Sequence, residues 1–582
     1  MDLPAWFQEL RRRRAIRALL AWGLVSFAVL QVIEPVQHAL GLAEWALKVV
    51  VAVLAIGFPV TAGLAWAFDL TRKGIERTGP AEGATPTTEA RWAGARPAVA
   101  LVLVGALIGA GVAWLALRQA APAALALPPS IAVLPFADMS PGKDQEYFAD
   151  GMAEEILNAL AQVEGLHVCG RTSSFSFKGK SEDLRIIGQK LGVSTVLEGS
   201  VRRAGGQVRI SAQLIRTGDG FHLWSKTFDR DLANVLAVQE EIARNVVEAL
   251  KVKLLPGQGV AARVVRTYDP EAYSKYLLGQ ELLRSGSIED AKRALRANEE
   301  AVTLDPRLGP AWAGVAGAII WLQSMAGEGT SAEQRARAFA AAERAIELEP
   351  EMPGGWLSRG RARRAFLYDW QGALADVEKA RSLSPGDAAA AGQHGLLLLA
   401  RGDVAQAIAG SQQALRLDPL SPHIWTYLGQ AFVSAQDHEH GRAALERALE
   451  ISPQYDFARW VLYADLATSG RAQEALSVAQ AGRMAWIRNC GVAIAQHTLG
   501  NESESSAALE NLIRDSAEDA AYQIAEIYAW RGDSDRAFSW LNRAADERDV
   551  GIFWVKTDPL LRKIRSDPRW KPFLRRVNLP VD

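Results

Sequence analysis

The chain has only two cysteines in 582 residues, Cys169 and Cys490, far apart and without CxxC spacing. That excludes a disulfide framework and a cysteine-rich metal centre, and both thiols read as buried. Neither sign of charge dominates, with 65 basic against 66 acidic side chains, so nothing points to nucleic acid as a partner. A Walker A run and a kinase glycine-rich loop are both missing. Gly199, Gly205 and Gly206 fall in strand and hairpin surroundings, away from any strand-to-helix phosphate turn. The serines of "SSFSF" have no neighbouring histidine to activate them, and His167 and His222 stand alone. Asp138, Asp144, Asp150, Glu154 and Glu155 are numerous enough for a metal. However, Glu154 and Glu155 diverge on a helix, and the loop aspartates suit turns and a helix start. No catalytic residue, cofactor or metal is expected, and the chain reads as a non-enzyme.

Long apolar runs are present, by contrast. Three stretches, 18–33, 49–68 and 98–117, stand between charged flanks and approach the length that crosses a bilayer. The first is short unless Arg17 snorkels and Glu34 lies at the interface. "RRRRAIR" before the first stretch, and Arg72, Lys73, Arg77, Arg91 and Arg96 in the second loop, place both on the cytoplasmic side. Everything after the third stretch is then expected outside, across a bacterial inner membrane. Gly105 and Gly109 form a GxxxG pair that permits close helix approach and leaves room for a homodimer.

After an Ala/Pro-rich linker at 118–130, residues 131–253 read as an α/β domain. "IAVLPF" is strand-like, and "EYFADGMAEEILNALAQV" puts Phe148, Met152, Ile156, Leu157 and Leu160 on one helical face. "LHVCG" is a short strand, "EDLRIIGQKLG" a second helix, and three strand-like runs separated by Gly-containing turns follow. In "QVRISAQLI", Val208, Ile210, Ala212 and Leu214 alternate with polar residues, and "NVLAVQEEIARNVVEALKVKL" closes a mixed sheet covered by helices. The runs "IAVLPFADMS", "EYFADGMAEEI", "LGVSTVLEGSVRRAGGQVRISAQLI" and "LWSKTFDRDLANVLAVQEEIA" resemble the amino-terminal domain of TolB and the related FlgO-type domains. The resemblance implies an extracytoplasmic or sensory accessory module, often joined to tetratricopeptide repeats in bacterial chains labelled adenylate cyclases.

From residue 268 the texture is Ala-rich helix punctuated by prolines at 306, 350, 385, 419 and 453, the last three intervals being 35, 34 and 34 residues. This is the tetratricopeptide period, and about eight repeats are expected over 268–546, with a carboxy-terminal cap at 547–582. Side chains assigned to the inner helices, Trp356, Arg359, Arg363, His394, Trp425 and Tyr427, are the candidates for a partner-binding groove, although Trp356 and Trp425 also occupy packing positions. His438, Glu439 and His440 crowd one turn but lack metal-site spacing and read as solvated.

The expected architecture is therefore three transmembrane helices, a TolB-like α/β domain and an all-α solenoid. The expected role is a membrane-anchored scaffold or sensory accessory protein whose periplasmic array binds protein or peptide partners. A nucleotide cyclase-related component is the alternative, but no segment is left for a cyclase domain. Transcriptional regulation is disfavoured because residues 1–17 are too few for a winged helix ahead of the first span.

Overall fold

The computed structural model describes residues 15–40, 54, 57–58, 61, 68–71, 74–77, 129–250, 268–284, 286–326, 331–518 and 520–581. The chain divides into two compact units, Met1–Leu127 and Pro128–Asp582.

In the first unit, helix α1 (Ala15–Leu40) runs on through Glu34 and Pro35 instead of ending at Ile33. A short antiparallel hairpin, β1 (Phe68–Thr71) and β2 (Gly74–Arg77), begins at the residue where the second apolar stretch was expected to end. Among the described residues, no helix is long and apolar enough to cross a membrane. A span needs about 20 consecutive apolar residues, and α1 carries Arg17 at its start and Glu34 in its last third. This finding overturns the expected three-span fold and, with it, the multi-pass inner-membrane location. The stretch 98–117, including Gly105 and Gly109, lies outside the described residues.

The second unit opens with the mixed sheet. Its strands are β3 (Ser130–Val133), β4 (Ala137–Asp138), β5 (His167–Val168), β6 (Thr195–Ala204), β7 (Gln207–Arg216) and β8 (His222–Asp231), ordered β5-β3-β6-β7-β8 with β4 also on β6. Pairing is parallel among β5, β3 and β6 and antiparallel through β6, β7 and β8. Helices α2 (Glu146–Ala161), α3 (Arg171–Phe175), α4 (Leu184–Leu191) and α5 (Val235–Ala249) accompany it. Period-two and period-3.6 patterning set the core: Val208, Ile210, Ala212 and Leu214 face inward, opposite Phe148, Met152, Ile156 and Leu160 of α2. Asp183 caps α4 by accepting from the Arg185 N–H, and Gly192 ends that helix in the left-handed region at φ 67°.

Among the described residues, sixteen helices then alternate in antiparallel pairs. They are α6 (Pro270–Arg284), α7 (Ile288–Leu304), α8 (Gly309–Ala326), α9 (Ala332–Leu348), α10 (Pro353–Ala362), α11 (Trp370–Leu383), α12 (Ala388–Arg401), α13 (Val404–Leu417), α14 (Pro422–Ser434), α15 (His438–Ile451), α16 (Asp456–Thr468), α17 (Ala472–Gln480), α18 (Ala485–Thr498), α19 (Glu502–Ser516), α20 (Ala521–Arg531) and α21 (Ser534–Glu547). The first helices of successive pairs lie side by side and form the inner wall. Two 3₁₀ turns, Val550–Trp554 and Pro559–Ile564, and helix α22 (Trp570–Arg576) complete the chain.

The repeat prolines do more than stop helices. The indole N–H groups of Trp312, Trp356 and Trp425 each donate to the carbonyl of the proline six residues earlier, Pro306, Pro350 and Pro419, at 2.9, 2.9 and 2.8 Å. Arg459 does the same to Pro453. Each such side chain ties the start of one repeat to the end of the one before.

Small residues let the two helices of a pair approach. At Gly429, an added Cβ would lie 2.6 Å from Leu445 Cγ and 3.2 Å from the Gly441 carbonyl. Gly429→Ala should therefore destabilise the chain by about 1–3 kcal/mol, read as a lower midpoint in urea unfolding. An unchanged midpoint would show that this pair of helices has slack.

Candidate partner-binding groove

The inner wall of the solenoid is covered from both ends by the chain itself. At the amino-terminal end, α2 packs on α6, and Ala272, Tyr273, Tyr276, Leu277, Leu308 and Ala311 join the core of the α/β domain as one apolar cluster. Tyr276 donates to Glu155 at 2.9 Å, and the Gln239 amide donates to the Tyr273 oxygen at 2.8 Å. Glu154 lies between Arg171, at 3.0 Å, and Arg284.

Further along, the segment leading into α3 docks on the α13–α14 turn. The Gly170 N–H donates to the Leu417 carbonyl at 2.6 Å, and the Gly386 N–H donates to the Ala161 carbonyl at 2.9 Å. Asp418, 4 % exposed, accepts from the Ser173 N–H at 2.8 Å and from the Ser173 hydroxyl, whose oxygen accepts from the Leu420 N–H at 2.8 Å. A side chain on Gly170 would strike Asp418 at 2.7 Å. The ring Nε2 of His167 lies 2.7 Å from the Arg416 carbonyl, so this lone histidine belongs to the same seam.

At the other end, the tail crosses back over repeats three to five. Trp370 donates to the Val577 carbonyl at 2.7 Å, Lys556 to the Arg401 carbonyl at 3.0 Å, and Ser434 to the Thr557 carbonyl at 3.1 Å. Trp554 lies among Phe553, Trp460 and Tyr427, with ring centroids 5.0, 5.8 and 6.4 Å away. Beneath it is a buried polar knot. Tyr522 donates to Asp558 at 2.8 Å, and Glu526, fully buried, accepts from the Trp460 N–H at 3.2 Å. Burial, followed by the charge of Asp558, holds the Glu526 carboxyl well above the usual range.

Between the α/β domain and the first three repeats a cavity of about 630 Å³ remains, walled by α2, α5, α6, α8 and α10 and including Glu154, Leu283, Gly317, Leu357, Ser358 and Arg361. Leu357, Arg361 and Arg364 follow one another at i, i+4 and i+7 along α10 and the π-helical turn Arg363–Leu367 that extends it. Among the described residues Arg361 and Arg364 make no hydrogen bond or ion pair, and the Arg364 guanidinium lies 5.0 Å from the centroid of the Phe553 ring. Burial first, and then each other's charge in the case of Arg364, lowers both; Arg364 falls to about 10.

The residues singled out from sequence divide differently. Trp356 and Trp425 bind the proline carbonyls just described. Arg359 grips Asp376 with two bonds of 3.0 and 2.7 Å, and Arg363 joins the same carboxylate at 3.1 Å, so both fasten α10 to α11. His394 lies 3.8 Å from Glu378 of α11. Tyr427 does reach the inner wall, under Trp554. The early carboxylates serve structure: Asp138 accepts from the Ser140 and Gln145 N–H groups, and Asp150 pairs with Lys178 at 2.5 Å. His438 lies 2.5 Å from buried Asp465, and His440 2.8 Å from Asp437. Both cysteines are buried, and burial pushes the Cys169 thiol up to about 12. Sequence reasoning missed Arg361 and Arg364, and it read 547–582 as a cap without the reach of Phe553 and Trp554 over the inner wall of repeats three to five. The available signal was the i, i+4, i+7 series from Leu357.

The geometry defines the class as a solenoid of paired helices whose inner wall is shared with an α/β domain and a folded tail. Residues 422–455 match the tetratricopeptide repeat family, and residues 127–245 match the second domain of HilA/YgeH-like transcriptional regulators. The match over the α/β domain thus carries a different family name from TolB or FlgO. The chain is 42% identical over 192 residues to "Putative adenylate cyclase 3" of Rhizobium meliloti (strain 1021), covering 33% of this chain and 33% of that protein. It therefore spans about a third of that relative's length. Among solved structures, the thermophilic tetratricopeptide protein TTC0263 of Thermus thermophilus aligns at 23% identity over 32% of this chain and 98% of its own, with a TM-score of 0.28. Human IFIT1 aligns at 14% over 53% and 78%, with a TM-score of 0.36.

Two outcomes follow from the covers. Asp418→Ala leaves the buried Ser173 donors without an acceptor, at a cost of about 1–3 kcal/mol. Hydrogen exchange at Gly170, Ser173 and Leu420 should rise while α18–α21 stay protected, and unchanged protection would show that the seam does not depend on this carboxylate. Glu526, whose folded pKa stands above its ordinary 4.5, favours the folded state below that value. This contribution is lost as pH rises through the folded pKa. Glu526→Gln should flatten that fall in thermal melts across pH 4 to 9 (roughly the range over which a buried carboxyl titrates), and a slope identical to the parent's would assign it elsewhere.

Proposed function

We propose that the chain is a non-enzymatic scaffold or sensory accessory protein that binds a protein or peptide segment in the cavity left between the α/β domain and the first three repeats. The observation that carries this reading is the inner wall itself, which retains a cavity of about 630 Å³ beside stretches covered by the α/β domain and the tail. Solenoids of this type present inner-helix side chains to extended partners, and the match to tetratricopeptide repeats supports the same use. The α/β domain then acts as a wall of the site.

A photo-crosslinking residue at Leu283, in the cavity, is compared with one at Leu304, exposed at the end of α7. Crosslinks to a discrete cellular partner at Leu283 and none at Leu304, abolished by filling the cavity with Gly317→Trp, are the expected result. Crosslinks only at Leu304, or crosslinks indifferent to the filling substitution, refute the reading. The alternative, a cyclase-related signalling component, draws on the name of the Rhizobium meliloti relative. Cyclic nucleotide formation by the purified chain with ATP or GTP would establish it, and the scaffold reading expects none.

A further inference from the structure

We infer that Arg361, Arg364 and Tyr427 form an oxyanion-binding site on the inner wall, one that takes a carboxylate or phosphate group of whatever occupies the groove. The inference rests on the groove reading above and names the chemistry the groove selects.

Arg364 and Tyr427 meet the same pair of tail rings, Phe553 at 5.0 Å and Trp554 at 6.4 Å, which are themselves 5.0 Å apart, and Arg361 is near enough for its charge to act on Arg364. Arg361 closes α10, Arg364 follows one turn later on the π-helical segment Arg363–Leu367, and Tyr427 comes from α14. The guanidiniums carry ten N–H donors between them on the usual count of five each, and neither makes a hydrogen bond or ion pair among the described residues. The Tyr427 hydroxyl likewise has no hydrogen-bond partner among them. Asp387, the carboxylate that bears on Arg361, is already engaged by the Ala389 and Ala390 N–H groups at 2.8 and 3.1 Å. The charges that bear on Arg364 among the described residues are those of Tyr427 and Arg361.

Both guanidiniums are half-buried, and two like charges held close together repel unless a counter-charge offsets that cost. Every other arginine on this stretch of chain has avoided that cost: Arg359 and Arg363 share Asp376. The roof adds to the argument. Phe553 stacks under Arg364 at 5.0 Å and Trp554 covers Tyr427, which limits water around the donors and leaves the planar guanidinium edges free to present a fork to a planar oxyanion. A π-helical turn is a rare element that often marks a functional position, and here it is what aims Arg364 along the same wall as Arg361. The burial that lowers both arginines and raises Tyr427 agrees with donors held in a partly dry site and waiting for an acceptor.

The test uses the full chain and small probes: inorganic phosphate, and N-acetyl-trialanine with a free carboxylate against its carboxamide, titrated by calorimetry at low salt. Saturable binding of phosphate or of the free-carboxylate peptide, but not of the amide, is expected, and which of the two binds identifies the source of the oxyanion. Arg361→Gln and Arg364→Gln should each weaken it by roughly tenfold or more, the range for losing a charged hydrogen bond. Tyr427→Phe should weaken it less, and Arg293→Gln, on the outer face of α7, should leave it unchanged. If a glutamine variant loses its folded signal in circular dichroism, Arg364→Lys, which keeps the charge but not the fork, is read instead, with reduced but measurable binding expected. Absence of saturable binding, or binding that survives both glutamine substitutions, overturns the inference. The Leu283 crosslink separates this from the groove reading. A retained crosslink with no anion binding sinks the oxyanion site alone, whereas anion binding with no crosslink sinks the partner cavity alone.

Discussion

A solenoid of paired helices buries its side chains between neighbours but leaves an inner wall that no further repeat can cover. In this chain that wall carries Tyr427, Trp460, Tyr522 and the buried Glu526, which water would solvate poorly or which need partners. The remaining architecture answers that requirement. The α/β domain extends its own core over the first repeats, and the tail folds back so that Trp554 and Thr557 sit against α14. What is left open is small, and Arg361 lies on its wall together with carboxylates that include Glu154 and Asp387.

The two covers are held by different chemistry. The amino-terminal seam combines apolar continuity with a few buried hydrogen bonds around Asp418, short-range contacts that glycines at 170 and 386 make room for. The carboxy-terminal cover is aromatic, with one carboxyl knot beneath it. Each cover also holds a carboxyl raised by burial, Asp418 in the seam and Glu526 beneath the aromatic tail, so both respond to protons.

Much of the fold was legible from local pattern. Alternation at Val208, Ile210, Ala212 and Leu214 pointed inward because a strand's period is two, and the proline spacing announced paired helices. The apolar stretches were the weak point: hydropathy reads length and composition, yet α1 continues through Glu34 and Pro35, and among the described residues no helix is long and apolar enough to span. The groove candidates were less legible again. Trp356, Arg359 and Arg363 share a helical face, as Leu357, Arg361 and Arg364 share another, and periodicity alone cannot say which face meets the neighbouring helix.

By itself, then, the sequence determined that a mixed α/β unit precedes an array of helix pairs, because strand alternation and a 34-residue repeat are properties of neighbouring residues. Only the tertiary structure decided that Arg359 and Arg363 are consumed by Asp376 while Arg361 and Arg364 remain unpaired, and that Trp554 returns across more than a hundred residues to cover Tyr427. Those outcomes depend on which surfaces compete for burial once every element is in place. No local window contains that competition.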